Sequence, residues 1–217
     1  MKHAEYIRCL IEARPTGDLL LPGELSEQLS RRAGCSKSAA SNIVRQVLRA
    51  MEQDGRISHV LRGVYLKSGE GPADVQSPDA LRKIAERLYI ADGREGYYRG
   101  KCALARFGLD DTLGDNAVRI ATNKCKGRQN SISKGLGVVI EKPTACVDEQ
   151  SARYLQALDL IRDNVDALMD MSDEDFNRFF AQLKRDGVDY VVLTGYASRY
   201  GSVRALKAVA RLCERLI

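Results

Sequence analysis

The chain has 217 residues, with 34 lysines and arginines against 29 aspartates and glutamates, and a net charge of +5. This length is enough for one large or two modest domains that bury their own cores without disulfides. An apolar fraction of 44% and a charged fraction of 29% exclude a disordered chain, and no apolar run reaches the length of a membrane span. Because the N-terminus carries no signal-peptide pattern, we expect a cytoplasmic protein without membrane partners.

Cysteine and histidine usage offers little for metal or nucleophilic chemistry. The six cysteines are spread along the chain without a CxxC pair, and the histidines are His3 and His59 alone. Zinc sites and Ser/His/Asp triads need denser groupings than these. We therefore expect reduced thiols, no cofactor, no metal site and no enzymatic activity.

Apolar residues recur at helical spacing in three stretches of the first 53 residues. Gly34 stands where a helix end favours a left-handed residue, and a serine stands where the next helix needs an N-cap. We predict helices over 4–13, over 24–32, and from Ser36 or Ser38 to about Gln53, with a short strand over 18–21.

Two runs of β-forming residues follow, over 57–60 and 63–66, with Leu61 and Arg62 between them. Helix, short strand, helix, turn, helix and hairpin is the element order of a winged helix-turn-helix. We therefore predict such a DNA-binding domain over residues 1–67.

The third helix carries the main candidate contacts to DNA. Its polar side has no acid before Glu52, with short polar residues first and long cations behind, an order that suits base edges near the helix start and phosphates farther along. These candidates are Lys37, Ser38, Ser41, Asn42, Arg45 and Arg49, and the wing adds Arg56, His59 and Arg62. The alternative is a merely solvated helix face and, for His59, an ordinary strand position.

Charge is distributed unevenly between the two parts of the chain. Residues 1–67 hold 11 lysines and arginines against 7 aspartates and glutamates, a net charge of +4, while the remaining 150 residues carry +1. A surface that meets a polyanion is expected to be basic. The excess is small, so it supports the DNA prediction without deciding it.

Residues 68–78, rich in Gly, Pro and Ser, predict a linker. Beyond them, residues 79–217 predict a mixed α/β domain with a helical end, so the whole chain is expected to be α+β. Residues 188–200 fit a strand or a helix equally well. We predict helices over 79–89, 100–107, 148–169, 173–184 and 203–216, and strands over 117–122 and 138–141.

A basic loop joins the two predicted strands of this second domain. It carries Lys124, Lys126, Arg128 and Lys134, which predict a second patch for a nucleic-acid backbone or for the acidic face of a partner. A plain solvated hairpin loop is the alternative interpretation.

The segment DGRISHVLRGVYL, residues 54–66, resembles the wing of AbiEi-type antitoxins of type IV toxin-antitoxin (abortive infection) systems, and GKCALARFGL, residues 100–109, resembles a motif of their second domain. The resemblance covers about residues 1–145, with a looser helical match to the end. It implies a winged helix that binds inverted repeats in its own promoter. It also implies a second domain that neutralises a co-encoded nucleotidyltransferase toxin.

The sequence thus predicts an antitoxin and transcriptional autorepressor that binds double-stranded DNA. One alternative is a stand-alone winged-helix regulator whose second domain senses a ligand or mediates assembly. Another is a nucleic-acid-modifying enzyme that uses the winged helix for targeting, although the acids and histidines such an enzyme needs are not grouped in the sequence.

Overall fold

A computed structural model describes residues 2–68, 77–106, 118–127 and 129–214, and the fold is mixed α+β. The helices are α1 His3–Glu12, α2 Pro22–Ala33, α3 Lys37–Gln53, α4 Pro78–Tyr89, α5 Lys101–Arg106, α6 Ser131–Gly135, α7 Ser151–Met169, α8 Asp173–Arg185, α9 Tyr190–Tyr200 and α10 Val203–Glu214. The strands are β1 Leu19–Leu20, β2 Ile57–Leu61, β3 Val64–Lys67, β4 Gly96–Arg99, β5 Val118–Thr122 and β6 Val138–Glu141.

The chain divides into two compact units, an N-terminal unit Met1–Ile84 and a C-terminal unit Ala85–Ile217, with the division inside α4. The predicted linker is shorter than expected at its end, because α4 begins at Pro78 and the Ser77 hydroxyl accepts a hydrogen bond from the N–H of Ala80 at 3.3 Å. The rest of the linker prediction, residues 69–76, lies outside the described residues.

In the N-terminal unit, three helices and a small antiparallel sheet enclose one apolar core. The sheet order is β1-β3-β2, so β3 is the central strand. The helices turn their apolar sides inward because those residues recur every three or four positions. The fully or almost fully buried side chains of the core are Ile7, Ile11, Leu20, Leu25, Leu29, Ala40, Val44, Val47, Leu48, Met51 and Ile57.

The connections in this unit follow ordinary capping chemistry. Pro22 occupies the first turn of α2, where its missing N–H has no intrahelical partner to lose. Gly34 ends the same helix in the left-handed conformation, with φ of 62°. Three residues later α3 has begun, so α2 and α3 are joined by a tight turn.

The end of the hairpin is fastened to the end of α1. The backbone N–H of Lys67 donates to the carbonyl of Asp18 at 2.9 Å, and the N–H of Gly17 donates to the carbonyl of Lys67 at 2.8 Å. The Lys67 ammonium also donates to the carbonyls of Glu12 and of Arg14, the latter at 2.5 Å. These bonds hold the end of the hairpin beside the turn that follows α1.

The C-terminal unit contains a second three-stranded sheet, in the order β4-β5-β6. Strand β4 pairs antiparallel with β5, whereas β5 pairs parallel with β6 in the register Val118↔Val138. Helix α7 packs against β4, and α9 and α10 pack against α7. Helix α7 is broken at Asn164, which has non-helical φ and ψ of −130° and 20°.

The predicted elements of this unit are found at nearly the predicted bounds, except where residues 107, 117, 215 and 216 lie outside the described part of the chain. Residues 190–200, left open between strand and helix, form α9. The Asp189 carboxylate accepts hydrogen bonds from the N–H groups of Val191 and Val192 at 2.9 and 3.0 Å, and this cap favours the helix. Strand β4 was not expected from the sequence.

Candidate nucleic-acid interface

Helix α3 begins at an N-cap residue, and it has one buried apolar side and one exposed polar side. The Ser36 hydroxyl accepts a hydrogen bond from the N–H of Ala39 at 3.2 Å, which selects Ser36 rather than Ser38 as the cap. The side chains of Val44, Leu48 and Met51 are almost fully buried in the N-terminal core. The opposite side of the helix is therefore the one presented to solvent.

All six candidates on α3 lie on this outer side. Lys37, Ser38, Asn42, Arg45 and Arg49 are exposed, and Ser41 is half-buried. Within the described part of the chain, the cations of this row form no ion pair. Since the row also lacks acids, its positive charge is left without an internal counter-charge.

The hairpin presents one cation at its tip. Leu61 pairs with Val64, so Arg62 and Gly63 form a two-residue turn, and Gly63 has φ of +81°, a conformation that favours glycine. Arg62 is exposed and takes part in no ion pair among the described residues. Because α3 packs against β2, the tip and the helix row belong to one compact unit.

His59 lies on β2 opposite Tyr65 on β3, and their ring centroids are 4.9 Å apart. Burial, followed by the charge of Glu52, raises the pKa of the Tyr65 hydroxyl. His59 is exposed, but its ring already has this cross-strand contact with Tyr65. It is therefore a less available contact than Arg62.

Arg56 is separated from the other candidates. It precedes β2 at the base of the hairpin, and its guanidinium forms an ion pair with Glu12 of α1. Five strand residues lie between Arg56 and the tip, a length of about 17 Å. Arg56 therefore has a carboxylate partner within its own unit and lies away from the row on α3.

The second predicted patch is described only in part. Lys126 and Lys134 are exposed, and Arg128 lies outside the described residues. The Lys124 ammonium donates to the carbonyl of Leu88 at 2.8 Å, near the C-terminal end of α4, where a cation also meets the helix dipole. Lys124 thus has a structural partner within its own unit.

The segment that carries this patch is not a hairpin loop. A hairpin joins antiparallel strands, whereas β5 and β6 are parallel and need a crossover. Helix α6 lies within that crossover. Its cap is the Asn130 side chain, which accepts from the N–H of Ser133 at 2.8 Å and from the Tyr89 hydroxyl at 3.2 Å.

A buried ionic cluster in the C-terminal unit was not anticipated from the sequence. The Asp159 side chain is only 2% exposed, and it receives a hydrogen bond from the Tyr97 hydroxyl at 2.8 Å. The Arg162 guanidinium lies 2.9 Å from the same carboxylate, and that of Arg99 lies 3.5 Å from it. Glu141 pairs in turn with Arg99 at 3.0 Å and with Arg119.

This cluster also perturbs Tyr97. Burial raises the pKa of its hydroxyl far above the usual value of 10.0, and the nearby charge and hydrogen bond of Asp159 add to this effect. The only sequence signal for the cluster was the spacing of Asp159 and Arg162, three residues apart on one helix. Its partners on β4 and β6 come from distant parts of the chain.

All six cysteines are free thiols. Among the described residues, no three side chains of His, Cys, Asp or Glu are grouped so that they could hold a metal ion. No helix in the described ranges has the length and apolarity that a membrane span requires.

Comparison with protein-family models finds no match to this chain, and a search of curated proteins finds none either. The resemblance of residues 54–66 and 100–109 to AbiEi-type antitoxins therefore stays a prediction from the sequence.

Proposed function

We propose that residues 1–67 form a winged helix-turn-helix that binds double-stranded DNA, with α3 in the major groove and the hairpin tip at the adjacent backbone. The observation that carries the proposal is the exposed, acid-free row on α3, whose cations have no ion-pair partner in the described part of the chain. The element order and the pairing of β1 with β3 support it.

Both the order of residue types along this row of α3 and its positive charge suit a DNA duplex. Asn42, near the start of α3, can donate to and accept from the edge of an adenine in a bidentate pair. Arg45 and Arg49 follow one and two turns later, where guanidinium groups reach phosphates or a guanine edge. Arg62 supplies a cation at the wing tip. Base contacts and backbone contacts are thus both available from one unit.

We further propose that the protein represses its own operon as the antitoxin of a type IV system. This step rests on the resemblance of residues 54–66 and 100–109 to AbiEi-type antitoxins. In this proposal the N-terminal unit binds inverted repeats in the promoter. The C-terminal unit neutralises a co-encoded nucleotidyltransferase toxin.

The DNA proposal is tested with the full chain and the DNA upstream of its own gene. We expect Arg45→Ala and Arg62→Ala each to weaken binding. Each is also expected to reduce the slope of log affinity against log salt by about 0.9, which corresponds to one lost phosphate contact. Fluorescence anisotropy over a salt series measures both quantities.

Arg8→Ala is the matched control, because Arg8 is also an exposed arginine without an ion-pair partner among the described residues but lies on α1. We expect its salt slope to equal that of the unchanged protein. If Arg45→Ala and Arg62→Ala bind the upstream DNA like the Arg8 variant, α3 and the hairpin do not form the interface.

The antitoxin step has a separate test in cells. If a neighbouring reading frame encodes a nucleotidyltransferase, its expression alone should arrest growth, and co-expression of this chain should restore it. Restoration by the Arg45→Ala variant is also expected, since repression and neutralisation reside in different units. Continued arrest in the presence of the unchanged chain would contradict the antitoxin role but not DNA binding.

A further inference from the structure

The C-terminal unit contains a groove of about 390 Å³ between α10 and the end of α7, which the proposed function does not use. On the side of α7 it is lined by Val165 and Asp166, which directly follow the break in that helix at Asn164. The volume lies within the range of sites that hold small ligands. The groove therefore has room for a compact molecule.

Three cations of α10 stand on the other side of the groove. Arg204, Lys207 and Arg211 line it, and their spacing of three and four residues places them on one side of the helix. All three are exposed, and in the described ranges none of them forms an ion pair, a hydrogen bond or a ring contact. Their charges are therefore available to a ligand.

Positive charge is concentrated at this groove. The three cations share it with one carboxylate, that of Asp166, so the lining residues have a surplus of two positive charges. Residues 68–217 as a whole carry a net charge of only +1. Asp166 is exposed, and within the described part of the chain it forms no ion pair with the three cations. The groove therefore favours an anionic ligand.

The positions of these cations are unfavourable for α10 itself. Arg204 lies in the first turn, where the helix dipole disfavours a cation, and no acid occupies that turn. Lys207 is a helical neighbour of both arginines, and like charges at this spacing repel each other. Helix α8 has the favourable order, with acids in its first turn and Lys184 and Arg185 in its last. An anion in the groove would relieve the repulsion along α10.

The length of the row sets the size of the anion. Seven residues of an α-helix rise by about 10 Å, so the three long side chains can converge on a chain of a few phosphate groups. A nucleic-acid backbone is bound along longer positively charged grooves, whereas here the Asp166 carboxylate lines the opposite side. A small ligand with two or three linked phosphates therefore fits the groove better than a nucleic acid.

We propose that this groove binds a small polyphosphate, either inorganic or the phosphate chain of a nucleotide. Arg204, Lys207 and Arg211 pair with its oxygens through charge-assisted hydrogen bonds. The same contacts neutralise the repulsion along α10. The groove lies in the C-terminal unit and uses no residue of α3 or of the hairpin, so the proposal goes beyond DNA binding and does not depend on it.

The test uses the full chain with sodium tripolyphosphate and ATP as the probes and sodium sulfate as a control anion. Each is titrated by calorimetry at low salt and without magnesium. We expect tripolyphosphate to bind with a dissociation constant below about 1 mM and to raise the melting temperature as it saturates the protein. Sulfate should bind at least about tenfold more weakly, because it reaches fewer of the three cations.

The comparison of the two probes identifies the source of the phosphates. Tighter binding of ATP than of tripolyphosphate indicates a nucleotide as the ligand, whose remaining groups add contacts. Equal or weaker binding of ATP indicates that the phosphate chain alone is recognised. Both results support the proposal.

Two double variants separate the groove from general charge attraction. Lys207→Gln with Arg211→Gln removes two of the three cations, and we expect the affinity for tripolyphosphate to fall about tenfold or more. Lys184→Gln with Arg185→Gln is the matched control, since it removes a lysine and an arginine that are exposed at the end of α8. We expect it to change the affinity less than about twofold.

Two further variants give results that a loss of folding could not produce. Asp166→Asn removes the carboxylate from the groove and should raise the affinity for tripolyphosphate by about two- to fivefold. Arg45→Ala with Arg49→Ala alters the row on α3 and should leave this affinity within about twofold. Tripolyphosphate then binds away from the proposed DNA surface.

The proposal is overturned if tripolyphosphate does not bind, if sulfate binds as tightly, or if the α8 and α10 variants lose affinity equally. It is also overturned if Asp166→Asn lowers the affinity or if the α3 variant abolishes it. Displacement of tripolyphosphate from the α3 variant by a single-stranded oligonucleotide at equal phosphate concentration contradicts it too, since α10 would then belong to a nucleic-acid surface. A circular dichroism spectrum that matches the unchanged protein ensures that each variant is folded.

Discussion

The two units use the same residue type in opposite ways. On α3 and the hairpin, Arg45, Arg49 and Arg62 are exposed and have no ion-pair partner among the described residues. In the C-terminal unit, Arg99 and Arg162 reach Asp159, whose side chain is 2% exposed. An arginine with an internal carboxylate stabilises its own unit. An arginine without one is available to an external anion.

This difference does not follow from composition alone, since both units contain acids as well as bases. It arises from where the acids fall. In the N-terminal unit, Glu12 neutralises Arg56 at the base of the hairpin, away from α3. In the C-terminal unit, Glu141 and Asp159 stand on elements that bring them against arginines of β4, β5 and α7. The positions of the carboxylates thus decide which arginines are paired within the protein and which are free to bind an external anion.

The largest expected effect is on the buried cluster. Asp159→Asn removes the carboxylate that Arg99 and Arg162 share and leaves them only their partners Glu141 and Asp163. We expect the free energy of unfolding to fall by about 3 kcal/mol, because removing one member of a buried ionic network is strongly destabilising. Urea unfolding followed by circular dichroism measures the loss.

Asp163→Asn is the control for this change, since Asp163 lies beside the same arginines but its side chain is 37% exposed. We expect it to cost less than about 1 kcal/mol. Equal losses in the two variants would mean that the cluster is a solvated surface network. The contrast between the units would then disappear.

A smaller effect is expected at Tyr97. Tyr97→Phe removes the hydroxyl that donates to Asp159 at 2.8 Å and should lower the free energy of unfolding by about 1–2 kcal/mol near neutral pH. Asp159 keeps its contacts with Arg162 and Arg99 in this variant, so the loss is below that of Asp159→Asn.

The same variant has a pH signature. The pKa of Tyr97 is raised in the folded protein, first by burial and then by Asp159, so above pH 10 the unfolded chain releases a proton that the folded chain keeps. Stability from this group is complete below pH 10 and is lost as pH rises. We expect Tyr97→Phe to make the alkaline decline shallower by about 1.4 kcal/mol per pH unit. An unchanged decline would contradict the assignment.

The smallest effect on stability is expected on α3. Arg49→Gln should change the free energy of unfolding by less than about 0.5 kcal/mol, because Arg49 is exposed. The same change should reduce the salt slope of DNA binding by about 0.9. Arg162→Gln should do the reverse, lowering stability without altering the slope. A stability loss for Arg49→Gln that matched that of Arg162→Gln would remove the distinction between the two units.

The helices and strands of the N-terminal unit follow from local signals. Pro22, Gly34 and Ser36 mark helix ends by rules that involve only neighbouring residues. The outward row on α3 follows from periodicity, because the apolar side chains of the same helix are drawn into the core. The pairing of Arg56 with Glu12, away from α3, could not be predicted in this way. Its partner, Glu12, lies 44 residues earlier in the chain.

The C-terminal unit was predicted less completely because its determinants are long-range. Strand β4 has only four residues, and its signal is the pair Tyr97 and Tyr98. The parallel pairing of β5 and β6 depends on the crossover between them, which is not visible in strand sequence alone. Helix α9 had a local signal in its cap, Asp189, which outweighs the β preference of Val191 and Val192 because both valines are exposed.

The hydrogen bonds between Lys67 and the end of α1 and the turn after it affect how the N-terminal unit is stabilised. Four hydrogen bonds join residues about fifty positions apart, so they form only when the whole unit is in place. Fraying from the hairpin end would open the core at β1, and local opening should cost nearly as much as global unfolding. Amide protons at Gly17 and Lys67 are therefore expected to exchange with the slowest class of the unit. The hairpin that carries Arg62 is therefore not expected to open separately from the rest of the unit.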